Sequence, residues 1–206
     1  MKTLQELNDL DLRNGDWQVL DAFHDQSNLA FQGLKRRLGM HQETLSRALH
    51  RLESDQLVER TDDGYRLTQR GSRIINVPIR GETTKGSKIL ETYLPTDVSA
   101  SEVISRLKYS WFSTLRWLGH SENNNETILT WVTEEGGIQV RARFRGNYLT
   151  IEISSDNGEK SNPAIKSAHE LIARIIREYR IVMEHVQNVQ TRTECSNTMT
   201  HGIGLS

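Results

Sequence analysis

The sequence predicts an α+β protein: two helices, a tight turn, a third helix and a two-stranded hairpin, then a small α-β-β-β-α unit with an antiparallel sheet. Apolar residues recur at three- and four-residue steps up to about residue 55, then at two-residue steps over 127–154, a change of period that separates helices from strands. Asp63-Gly64 stands between two short strand-like runs, a strong hairpin signal.

Asp16 is expected to cap a helix from Trp17 to His24, with Trp17, Leu20 and Phe23 on its apolar side. A turn follows at Asp25-Gln26-Ser27-Asn28. The second helix, Phe31 to Leu38, groups Phe31, Leu34 and Leu38 on one face, and Gly39 ends it. The third, Gln42 to Asp55, buries Leu45, Leu49 and Leu52 at i, i+4 and i+7. Strands Leu57 to Arg60 and Tyr65 to Thr68 flank the hairpin turn. This order is the winged helix-turn-helix arrangement. It is placed at 14–72, after an N-terminal extension of 1–13, and it is followed by a linker of 73–88. Within that linker Ile75, Val77 and Ile79 allow one more strand over Arg73 to Arg80, and residues 81–88 are polar and glycine-rich.

The second unit is expected over 89–186. Val103, Ile104, Leu107, Trp111, Leu115 and Leu118 repeat at helical spacing, which predicts a long helix from Ser99 to Leu118. Three strands follow, Thr127 to Thr133, Ile138 to Arg145 and Tyr148 to Ser154. In the middle one Ile138, Val140, Ala142 and Phe144 alternate with Gln139, Arg141, Arg143 and Arg145, as in a sheet with one wet face. The arginine row reads as that solvated face, with an anionic ligand or a phosphate backbone as the alternative. Trp111, Phe112, Trp117 and Trp131 read as core ahead of a ligand pocket. A last helix fits Pro163 to Val186, and the polar residues 187–206 are expected to be a disordered tail. The two long apolar helices outweigh what three short strands cover, so the unit is expected to make a homodimer. Sensing an unknown effector and binding another protein are its alternative roles.

Composition narrows the function. A single cysteine, Cys195, excludes an intrachain disulfide and a multi-cysteine zinc site. No metal-spaced histidines, nucleophile elbow or phosphate-cradling glycine loop occurs, so no cofactor, no metal and no enzymatic activity are expected. No apolar run approaches the ~20 residues of a membrane span. Met1 to Leu12 lacks the basic and apolar regions of a signal peptide, so the expected location is the cytoplasm. The net charge of −1 averages unlike segments: residues 29–80 hold ten basic and six acidic side chains. A local basic excess suits phosphate attraction, because screening confines each charge to ~8 Å.

Phe31-Gln32-Gly33-Leu34-Lys35-Arg36-Arg37-Leu38-Gly39, Glu43-Thr44-Leu45-Ser46-Arg47-Ala48-Leu49-His50-Arg51-Leu52-Glu53 and Leu57-Val58 stand in order, closed by Tyr65-Arg66-Leu67-Thr68-Gln69-Arg70-Gly71. The set resembles winged-helix transcriptional regulators of the MarR- and ArsR-like group over about residues 16–71. Two positions depart from the pattern. His41 stands where the group has a Ser or Thr cap, and Asp62 and Asp63 put negative charge at the wing tip. The resemblance implies a DNA-binding regulator whose third helix enters the major groove. Gln42, Thr44, Ser46 and Arg47 would then meet base edges, and Lys35, Arg36, Arg51, Arg60 and Arg66 would meet phosphates. Double-stranded DNA and a second copy are the expected partners. The alternative is a winged helix that docks proteins in transcription or related machinery, in which these side chains are solvated helix faces.

Overall fold

The computed structural model describes residues 10, 12–24, 26–75, 86–96, 98–123, 125–155 and 161–200. Most of the expected extension and residues 76–85 of the expected linker, with the strand proposed beyond Ile75, lie outside them. Six helices and eight strands are described. They are α1 (Asn14–Ala22), β1 (Asn28–Leu29), α2 (Phe31–Leu38), α3 (Gln42–Ser54), β2 (Val58–Thr61), β3 (Gly64–Leu67) and α4 (Gln69–Ile75), followed by β4 (Ser87–Tyr93), α5 (Ala100–Leu107), β5 (Leu115–Glu122), β6 (Thr127–Thr133), β7 (Ile138–Arg145), β8 (Tyr148–Ser155) and α6 (Asn162–Thr200).

The strands form one antiparallel sheet in the order β2-β3-β1-β5-β6-β7-β8-β4. Its splice is the two-residue strand β1, in the segment expected to be a turn. Leu29 pairs with Tyr65 on one side and with Gly119 on the other. Ser27 donates its N–H to the His120 carbonyl at 3.0 Å, and Ala30 donates to Leu118 at 2.8 Å. The N-terminal hairpin and the C-terminal strands therefore share one hydrogen-bonded ladder.

Two apolar clusters sit on opposite sides of this sheet. One lies between β4–β8 and the helices α5 and α6, with Trp117, Trp131, Val140, Ile151, Leu171 and Ile175 buried. The other gathers Leu20, Leu34, Leu45, Leu49 and Leu52 from α1–α3 and takes in Leu118 and Val132 from the strands. Each fully buried side chain of this kind stabilises by ~1.5–3 kcal/mol. The contact is close: a Cβ on Gly33 of α2 would lie 2.6 Å from the Leu118 Cα, so only glycine lets the helix sit that near β5.

Local chemistry sets the helix ends. Asp16 is inside α1, not before it. Its carboxylate accepts the Arg13 amide at 3.0 Å, a favourable place for negative charge at a helix start. Gly39 closes α2 in the left-handed conformation, φ 60°, which costs glycine little. His41 does cap α3, its Nδ1 accepting the Glu43 N–H at 3.4 Å, so an imidazole fills the role of the usual hydroxyl.

Several expectations are corrected. Residues 69–75 are helix α4, so the strand expected from Arg73 does not begin there. The long helix expected over 99–118 stops at Leu107, and Leu115 starts β5. Between them Tyr109 and Ser113 take left-handed backbone, φ 62° and 49°, and Ser110 accepts the Trp131 indole N–H at 3.0 Å. β4 adds a strand at the sheet edge, so the second unit reads β-α-β-β-β-β-α. With α5 only eight residues long, the apolar excess invoked for a dimer falls to α6 alone. That helix continues to Thr200 through most of the expected tail, and residues 201–206 lie outside the described set. The arginine face of β7 is not simply wet: Gln139 is buried and Arg141 and Arg143 are half-buried. Among the described residues no helix is long and apolar enough to cross a membrane.

Candidate nucleic-acid interface

α3 divides cleanly between cover and solvent. Leu45, Ala48, Leu49 and Leu52 are buried, while Gln42, Glu43, Thr44, Ser46, Arg47 and His50 are exposed. The i, i+3, i+4 spacing of the apolar set produces this, and it turns the N-terminal half of the polar face outward. Gln42, Thr44, Ser46 and Arg47 are thus brought together on one exposed surface. Arg47, its side chain 70% exposed, pairs with Glu43 one turn earlier.

The five expected phosphate residues separate into four situations. Lys35 is half-buried and Arg60 exposed, and neither is in an ion pair among the described residues. Arg66 on β3 bonds Glu59 across the hairpin at 2.5 Å, both side chains about half exposed. Arg36 lies with its guanidinium 5.2 Å from the Trp111 ring centre and donates to the Gln32 carbonyl at 3.1 Å. Arg51 alone is committed inward. Its Nη2 and Nε reach the two carboxylate oxygens of Asp16 at 2.6 and 3.1 Å, and the Asp16 side chain is 1% exposed. A buried carboxylate without a cation is costly, so Arg51 fastens α3 to α1.

Three contacts escaped sequence reasoning because they join distant segments. Asp16 and Arg51 are 35 positions apart. Trp111, 56% exposed and so not core, lies between Arg36 and Arg116; its neighbours Trp117 and Trp131 are buried, as expected. Asp63 at the hairpin tip lies near the Tyr109 hydroxyl, and burial first, then this carboxylate, pushes the Tyr109 hydroxyl up to about 12. The tip carboxylate is therefore engaged by the C-terminal half.

Among the described residues no group of three or more His, Cys, Asp or Glu side chains is placed to hold a metal ion. No curated protein and no solved structure matches the chain. One family model does match, that of the HVO_A0261 N-terminal domain, over residues 16–78, the stretch that carries α1 to α4 and the hairpin.

Proposed function

We propose that residues 14–72 form a winged helix-turn-helix of the MarR- or ArsR-like kind and that the protein is a DNA-binding transcriptional regulator acting in the cytoplasm. The observation that carries this reading is the exposed polar face at the start of α3, flanked by basic residues of α2 and the hairpin. Arg47 reads guanine bidentately, Gln42 pairs with adenine, and Thr44 and Ser46 contact neighbouring base edges. The energetics favour this use of Arg47. Releasing it from Glu43 costs ~0.3–0.5 kcal/mol for an exposed i,i+4 pair, whereas a bidentate base contact contributes ~1–3 kcal/mol. Lys35, Arg60 and Arg66 contact phosphates. Arg36 does so by leaving Trp111, and Arg51 stays with Asp16.

The protein acts as a homodimer, which sets two α3 helices on half-sites ~34 Å apart. Ile176 and Ile181 of α6 are exposed, with Lys166 and Glu184 also exposed on the same helix. An antiparallel second copy of α6 covers the isoleucines and sets Lys166 opposite Glu184. Light scattering of the full chain is expected to return twice the 23.7 kDa monomer mass; a monomer mass refutes this arrangement.

DNA binding is tested by selecting a site from a random duplex library and titrating wild type and Arg60→Ala against the selected and a scrambled duplex. Arg60→Ala is expected to weaken both alike and to reduce the salt slope by about one. Failure to retain any duplex at low salt overturns the reading in favour of a protein-docking winged helix.

A further inference from the structure

We infer that Trp111 competes with DNA for Arg36: its ring holds the guanidinium in the free protein and yields it when a phosphate takes it. This autoinhibitory contact rests on the DNA-binding reading. Trp111 belongs to the loop of residues 108–114 between α5 and β5, and its chain neighbours are fixed to the C-terminal half. Ser110 accepts the Trp131 indole N–H at 3.0 Å. Phe112 exchanges both backbone hydrogen bonds with Leu115, and its ring centre lies 5.7 Å from that of Trp131. The Tyr109 ring packs 5.3 Å from Trp117. Between these anchors Trp111 turns outward and is 56% exposed, so a rigid support displays its ring to α2.

Two guanidinium groups meet this ring, and they are held differently. Arg116, 5.8 Å from the ring centre, donates to the Ser113 carbonyl at 2.7 Å and to Glu134 at 3.0 Å, and its side chain is 18% exposed. It stays with the C-terminal half. Arg36, 5.2 Å from the ring centre, donates only to the Gln32 carbonyl of its own helix, at 3.1 Å. Among the described residues it is in no ion pair. Its main chain is pinned, because a Cβ on Gly136, in the turn between β6 and β7, would lie 2.1 Å from the Arg36 carbonyl oxygen. The backbone is thus fixed while the side chain can turn from ring to phosphate. An exposed tryptophan face holds a cation by a factor of only about two to five. A phosphate offers a charge-assisted hydrogen bond and releases a counterion. DNA therefore wins the guanidinium, at an affinity lowered by the factor that the ring imposes. Because a phosphate contact carries no sequence information, the loss falls equally on every duplex. The contact ties the charge available on α2 to the position of the C-terminal half.

The test uses the full chain with the selected and the scrambled duplex. Trp111→Leu is expected to bind both about two- to fivefold more tightly than wild type, with an unchanged salt slope. Trp111→Phe, which keeps a weaker ring, is expected to gain less. Arg36→Ala is expected to reduce the salt slope by about one, and adding Trp111→Leu to it is expected to change nothing further. No gain from Trp111→Leu overturns the inference, as does the same gain in the Arg36→Ala background. A loss of affinity in Trp111→Leu also overturns it and makes Trp111 a DNA contact. A second measurement needs no DNA. In the proton spectrum of the free protein the Arg36 Nε proton is expected upfield of that of the exposed Arg60, because it lies over the ring, and Trp111→Leu is expected to move it back. A wild-type Arg36 resonance beside that of Arg60 overturns the contact. Retention of neither duplex by wild type refutes the DNA reading and the competition together, even where the upfield resonance shows the contact itself, whereas retention with no gain in Trp111→Leu refutes the competition alone.

Discussion

The outer face of α3 and the inner face of β7 both present rows of polar and cationic side chains, and the protein treats them in opposite ways. On α3 the cation nearest the helix start, Arg47, is solvent-exposed and shares one equally exposed glutamate. On β7 Arg143 is held between two half-buried glutamates, and Gln139 is buried beneath α2. The Gln139 amide oxygen faces Arg141 at 3.4 Å in one orientation and the Arg37 guanidinium in the other; the second engages both guanidinium donors and is the better match. An arginine in an exposed pair changes partners for a few tenths of a kcal/mol. One that neutralises half-buried carboxylates cannot leave without stranding them. Mobility of the charge, more than its presence, separates a surface whose cations can exchange partners from one whose cations are fixed.

Arg51 challenges this contrast most strongly, because it belongs to α3 yet is bound like a β7 arginine. Arg51→Ala is expected to lower stability by ~3–5 kcal/mol, since it strands the buried Asp16 carboxylate. Urea unfolding measures this, and Asp16→Leu combined with Arg51→Met is expected to recover most of the loss. A single-variant cost below about 1 kcal/mol would show that the pair is merely superficial. Smaller in effect, Gly33→Ala presses a methyl group into the Leu118 backbone and is expected to cost ~1–3 kcal/mol. If it is neutral in the same assay, α2 does not pack on β5 and the cover over β7 is lost with it.

A smaller effect comes from pH. His120 lies at the splice between β1 and β5, and burial followed by the nearby Lys108 lowers its pKa below the ordinary 6.5. Folding thus favours the neutral ring. Its contribution is full above about pH 6.5 and is lost as the pH falls below that, because the unfolded chain takes up the proton first. Thermal midpoints measured between about pH 7 and about pH 5 should fall less steeply in His120→Gln than in wild type. An unchanged slope removes His120 from the account.

How legible each part is follows from the range of the forces that make it. α2 is found over the expected residues because an amphipathic run ends at a glycine in left-handed backbone. The exposed face of α3 follows from helix periodicity alone. Residues 108–122 mislead because Trp111, Leu115 and Leu118 satisfy a helical period, while Leu115 and Trp117 equally satisfy an alternating one. No glycine or asparagine announces the left-handed turns at Tyr109 and Ser113. β4 hides behind a register shift between Lys88 and Leu90 that breaks its alternation. The state of the arginines is the least legible feature. Whether a cation is exposed, stacked on Trp111 or locked to Asp16 depends on segments far away in the chain.

The central claim, that the exposed side of α3 and not the covered side of β7 reads DNA, is tested by Arg47→Ala and Arg141→Gln together. Each is titrated in salt against the selected and the scrambled duplex. Arg47→Ala is expected to lose ~1–3 kcal/mol on the selected duplex and little on the scrambled one, and Arg141→Gln is expected to leave both affinities and both salt slopes unchanged. Equal losses on the two duplexes from Arg47→Ala, or a larger loss from Arg141→Gln, would contradict it.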